Sequence, residues 1–190
     1  MGKASRRRPR TDTDVLNSGW PLLLHPNRLL STVCLPIATF DDGLAYLVDQ
    51  LVKAMRVTHG MGVAAPQAGE PCRVFVWTQD AKEWAIVNPE IVEADGEQIG
   101  REECLSMPGV DLQVARSMRV VMRGFDIEGT EMEREGTGLT ARTWQHEIDH
   151  LDGVMMLDRV NRQLRRNAER QWEKRRVPHS GTRARTRVSA

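Results

Sequence analysis

His146 and His150 stand four residues apart, a spacing that puts both imidazoles on one face of a helix, where they can grip one metal ion. Glu147, next to the first histidine, can then address a metal-bound water and move its proton. Cys104, in the run Glu102-Glu103-Cys104-Leu105-Ser106, offers a thiolate as third ligand. Three protein ligands leave a fourth position open, which separates catalytic from structural metal sites. Taken singly, a cysteine is more often core and a helix glutamate more often solvated; their combination is what points to hydrolysis. A third landmark, Gly60-Met61-Gly62-Val63-Ala64-Ala65-Pro66-Gln67, is too rich in small residues to continue a helix. It reads as a turn or irregular strand in which backbone approaches something closely.

The elements that must position these groups are legible in outline. Phe40, Leu44, Leu47, Val48, Leu51, Val52 and Met55 recur at helical spacing, so a helix is expected over 41–58, capped by Asp41 and ended by His59-Gly60. Strands are expected at Arg73–Trp77, Ala85–Asn88, Ile91–Val92 and Val120–Ile127, with turn signals at Asp95-Gly96 and Glu128-Gly129. Thr137-Gly138 precedes a helix over 140–152 that carries the histidines and stops at Gly153. A third helix over 158–175 would set Val160, Leu164, Ala168 and Trp172 along one side. Hairpins with a few helices make the class α+β rather than βαβ.

A chain of 190 residues with 40% apolar content buries one good core. Its three cysteines, Cys34, Cys72 and Cys104, lack CxxC spacing, which excludes a disulfide scaffold or zinc knuckle and fits a reducing, cytoplasmic setting. No apolar run is long enough to span a membrane, and the Arg-rich start, Met1 to Arg10, lacks the apolar stretch of a secretory signal. The net charge of +1 hides a partition: residues 1–14 carry +3, residues 15–158 carry −11 and residues 159–190 carry +9. The expected organisation is therefore a basic, disordered arm at 1–14, a catalytic domain at 15–158, a basic helix at 159–177 and a disordered basic tail at 178–190. Basic ends on an acidic body point to a polyanion partner.

Gly60 to Gln67, Glu102 to Ser106 and Gln145 to Gly153 together resemble, in order and spacing, the GxGxAAxQ, EGCLS and HExDH motifs of the peptide deformylase family, over residues 20–160. The resemblance implies antiparallel β-sheets around a central helix bearing His-Glu-Ile-Asp-His. It also implies removal of the formyl group from the N-terminal formyl-methionine of new polypeptides. By the same resemblance, Cys104, His146 and His150 would hold one divalent cation, Fe(II) in the usual case, with Zn, Ni or Co able to take the same ligands. Glu147 would act as general base and acid. Gln67 and the Leu105 N–H would stabilise the oxyanion, and Gly62 would let the substrate backbone approach. Met61 and Leu139 would line the pocket for the methionine side chain. The chain departs from the family where Glu103 replaces the usual glycine beside the substrate; turned inward, it would add negative charge near the metal. Glu102 is expected to pair with Arg116 and stiffen the ligand loop. The chain is expected to act as a monomer, and the resemblance implies N-formylmethionyl peptides as its substrates, with the basic C-terminal segment offering a contact to the ribosome or its RNA.

Two rival readings start from the same residues. A zinc protease with a histidine six residues past His150 is excluded by Met156; one with a downstream glutamate would use Glu169. A nucleic-acid-binding protein with a vestigial metal site would rest on the basic tail, where Trp172 is the one interleaved aromatic.

Overall fold

Asp41 caps the first helix as expected: its carboxylate accepts from the N–H groups of Gly43 and Leu44 at the start of α1, Asp42–Thr58. In this computed structural model, which describes residues 22–176, the helix ends at His59, whose φ of 53° lies in the left-handed region. The expected basic arm and disordered tail lie outside the described residues.

The glycine-rich landmark then splits into a short strand, β1 (Gly62–Ala64), and a 3-10 turn over Ala65–Ala68. β2 (Val74–Gln79), β3 (Lys82–Asp95), β6 (Arg119–Phe125) and β7 (Glu131–Thr137) join β1 in one antiparallel sheet, ordered β1-β2-β3-β6-β7. Between β3 and β6 the chain forms a separate hairpin, β4 (Gln98–Glu103) with β5 (Asp111–Arg116). This is the α+β arrangement expected.

The strands expected at Ala85–Asn88 and Ile91–Val92 are one element, β3, whose pairing with β6 shifts between Val87 and Glu90 and again between Ile91 and Glu93. Pro89 has no N–H to give a ladder, and Asn88 sits at φ 51°. The Asn88 amide instead donates to the Ile37 carbonyl and accepts from the Ile37 N–H, both at 2.8 Å, tying the irregularity to the segment before α1. β4, β5 and β7 have no counterpart in the sequence expectations. Each is thick with charge; in β5 the alternation of buried Leu112, Val114 and Arg116 puts an arginine where a core residue would be looked for.

The histidine helix, α2, runs Gly138–Leu151 and packs on the sheet through Trp144. That indole meets Trp77 of β2 edge-on, centroids 5.6 Å apart. It also occupies the space a side chain at Gly136 would need, since a Cβ there would lie 2.7 Å from the ring. Burial on both sides fixes the depth and rotation of α2, and with it the direction in which the histidines point.

The last helix, α3 (Arg162–Arg176), follows a 3-10 turn over Met156–Arg159. It starts four residues later than the pattern suggested, with the Asn161 side chain accepting from the Gln163 and Leu164 N–H groups. Val160 precedes the helix but still packs on the buried cluster where Ala168 and Trp172 dock as expected, whereas Leu164, in the first turn, is exposed. Both join the buried cluster that contains Cys104, and the Trp172 indole N–H donates to the His25 carbonyl at 2.7 Å.

Candidate active site

Cys104 follows β4, and His146 and His150 lie one turn apart on the buried side of α2. Their ligand atoms all fall within 4.8 Å of one another, and the Cys104 sulfur is 3.2 Å from His150 Nε2. The His146 ring is oriented from behind: its Nδ1 hydrogen-bonds a Glu102 oxygen at 3.0 Å, which turns Nε2 toward the sulfur side. Among the described residues His150 Nδ1 and Glu147 Oε2 are buried without a partner. A buried thiolate and two buried imidazoles clustered this closely are a donor set that suits a cation of the Zn, Fe(II), Ni or Co type.

The charge states fit ligation. Burial alone would raise the Cys104 pKa, but the neighbouring His150 and His146 outweigh it and hold the thiol well below its ordinary value. The other two cysteines show the contrast: burial pushes Cys34 and Cys72 up to about 11, which keeps them as inert thiols. Glu102 is buried as well, yet its hydrogen bonds to His146 and Arg116 hold it well below the usual carboxylate range.

Glu147 differs from Glu102 in having no cation bonded to it. Burial pushes it up to about 7, against the pull of His146 and His150. It packs against Gly62, where a Cβ would stand 2.6 Å from its Oε1, so the glycine exists to make room for this carboxylate. Gln67 is held by its oxygen, which accepts from the Ala64 N–H at 3.0 Å. Its NH2 therefore faces the ligand loop, 3.7 Å from the Cys104 sulfur and 3.2 Å from the Ser106 hydroxyl.

Gly62, Gln67, Leu105, Glu147 and His146 line a cleft of 580 Å³. Met61 and Leu139 are exposed along it, large apolar side chains left facing the groove. Glu103 is at the rim, 43% exposed and ion-paired with Arg101 at 2.9 Å, so its charge is spent there. A larger groove of 760 Å³ lies behind α2, lined by ion pairs such as Arg73–Asp152, and includes none of the three ligands. Glu169, the alternative ligand, pairs with Arg165 on its own helix at 2.9 Å and is not among the clustered ligands.

The expected Glu102–Arg116 pair is present, bidentate at 2.9 and 3.0 Å. It belongs to a buried network that the sequence reading left incomplete. Arg142 donates to Glu102 at 2.7 Å and to the Val114 carbonyl at 2.8 Å; Arg116 also reaches Asp149 at 2.5 Å, and Asp149 binds Arg159. A signal existed for Arg142 and Asp149. They sit four residues before and three after His146, on the same helix face.

The family model described as Polypeptide deformylase matches residues 20–166. The chain is 38% identical over 132 residues to a peptide deformylase of Dictyoglomus thermophilum, covering 70% of this chain and 86% of the relative. It is 41% identical over 157 residues to a peptide deformylase-like protein of Bradyrhizobium diazoefficiens, covering 81% and 92%. The crystal structure of a peptide deformylase from Legionella pneumophila superposes with a TM-score of 0.78 at 35% identity, covering 83% of this chain and 98% of that one.

Truncating Arg116 to alanine takes from buried Glu102 its bidentate partner and from Asp149 one of its two cations. The variant is expected to lose about 3 kcal/mol of stability and to bind metal about 10- to 100-fold more weakly. Thermal unfolding and metal titration measure the two effects, and unchanged values in both would remove the network from the account.

Proposed function

The chain belongs to the peptide deformylase family, metal-dependent hydrolases that remove the formyl group from the N-terminal formyl-methionine of nascent polypeptides, and we propose that Cys104, His146 and His150 hold the cation in this member while Glu147 moves the protons. The observation that carries the assignment is the convergence of one thiolate and two imidazoles, within 4.8 Å, beside an unpaired buried carboxylate. A bound cation supplies Lewis-acid activation of water. Fe(II) is the proposed occupant, by resemblance to the family.

Glu147 does the acid–base work. A carboxyl pushed up to about 7 by burial accepts a proton readily near neutrality and returns it to the departing amine. The Gln67 NH2, held facing the ligand loop, and the Leu105 N–H donate to the oxygen that gains charge as the formyl carbon is attacked. Gly62 keeps the site open beside Glu147, and Met61 and Leu139 offer apolar surface to the methionine side chain. Glu103, paired with Arg101, shapes the rim. Formate and a free methionyl N-terminus are the products.

With formyl-Met-Ala-Ser and anaerobically purified protein, formate release is expected to fall about 10²- to 10⁴-fold in Glu147→Ala, with metal retained. Cys104→Ala is expected to lose both metal and activity. Metal retained in Cys104→Ala would contradict the assignment of ligands.

Arg166, Arg170 and Lys174 are exposed on α3, whose other side is pinned by Ala168 and Trp172. This basic face, on an otherwise acidic body, is proposed to contact ribosomal RNA where nascent chains emerge. Changing Arg166, Arg170 and Lys174 to glutamate, which leaves Trp172 in place, is expected to abolish salt-sensitive co-sedimentation with ribosomes; undiminished co-sedimentation would refute the contact.

A further inference from the structure

Arg175, in the last turn of α3, lines the same cleft as His146 and Glu147 although about thirty residues of chain separate it from them. The helix is brought there by two anchors. Trp172 is buried against the ligand-loop cluster, and the Gln171 amide donates to the Gly109 carbonyl at 3.3 Å. Gly109 itself turns with φ 75°, and a Cβ on it would lie 2.5 Å from Arg175 Nη1, so the guanidinium rests directly on that turn.

The charges around it are unequal. Arg101, the other rim arginine, is neutralised by Glu103 at 2.9 Å and Asp111 at 3.2 Å; these two carboxylates face each other across the β4–β5 ladder and need a cation between them. Among the described residues no carboxylate pairs with Arg175. An unneutralised guanidinium at the mouth of a substrate cleft is a carboxylate receptor.

We propose that Arg175 binds a carboxylate carried by the formylated peptide beyond its first residue, and so sets a preference for substrates with negative charge there. This rests on the deformylase reading and adds to it a residue from the C-terminal helix. The carboxylate has two possible sources, the free end of a short peptide or an acidic side chain within a longer one.

Steady-state formate release on the metal-loaded full chain separates these. The substrates are formyl-Met-Ala-Ser with a free carboxylate, the same peptide as its C-terminal amide, and formyl-Met-Ala-Glu amide. Wild type is expected to favour one or both carboxylate-bearing peptides over the neutral amide by about threefold to fivefold, the range of a rim ion pair. The gain should appear in KM and shrink at high salt. Arg175→Ala should bring the ratio to near one, Arg175→Lys should retain part of it, and Lys53→Ala, which removes a charge on α1, should leave it intact. Which acidic peptide is favoured identifies the source. A cation that merely complements the helix end would move the melting temperature and not this ratio. No preference in wild type, or a preference that survives Arg175→Ala, overturns the inference and leaves the deformylase reading standing. Absence of formate from all three peptides sinks that reading, and the inference with it.

Discussion

Glu102 is buried, and its two oxygens serve three cationic or proton-bearing partners: Arg116 takes both, Arg142 shares one, and His146 Nδ1 takes the other. An unpaired carboxylate at this depth would protonate or drag water inward. Here its hydrogen bonds to His146 and to the Arg116 guanidinium keep it ionised against the cost of burial, and an ionised Glu102 is what fixes the His146 ring. The rest of the site depends on that constraint, because a metal ligand whose ring can rotate gives neither affinity nor a defined open position. The network also ties three separate pieces of chain together, since Glu102 is the penultimate residue of β4, Arg116 ends β5, and Arg142 and Asp149 lie on α2.

Two glutamates within the same buried region thus acquire opposite character. Glu102 is surrounded by positive groups and stays charged at any ordinary pH, whereas Glu147, packed on Gly62, is raised to about 7. The difference arises from neighbours rather than depth, as both are buried. One carboxylate serves as scaffold and the other as proton carrier, a division that glycine at position 62 makes possible by leaving space for an unpaired side chain.

Much of this was legible in the sequence. The histidine pair and Glu147 could be singled out by spacing, Cys104 by the run it sits in and its resemblance to a family motif, and α1 and α3 by their apolar periodicity. What escaped was carried by charge. Strands β4, β5 and β7 hide behind Glu and Arg because their polar faces meet solvent, or, at Arg116, because the core position holds an ion. Arg142 looks like a helix-surface arginine until β4 and β5 are folded against it, and a contact across forty residues leaves no local trace. The end of α3 is similar: periodicity identified Trp172 as inward-facing, but only the Gly109 turn explains why Arg175 stands over the cleft.

The most direct test of the account is X-ray absorption at the metal edge of the anaerobically purified, metal-loaded protein. One sulfur at about 2.3 Å and two imidazole nitrogens at about 2.0–2.1 Å are predicted, with the sulfur contribution gone in Cys104→Ser. A first shell of nitrogen and oxygen alone in the wild-type protein would contradict it.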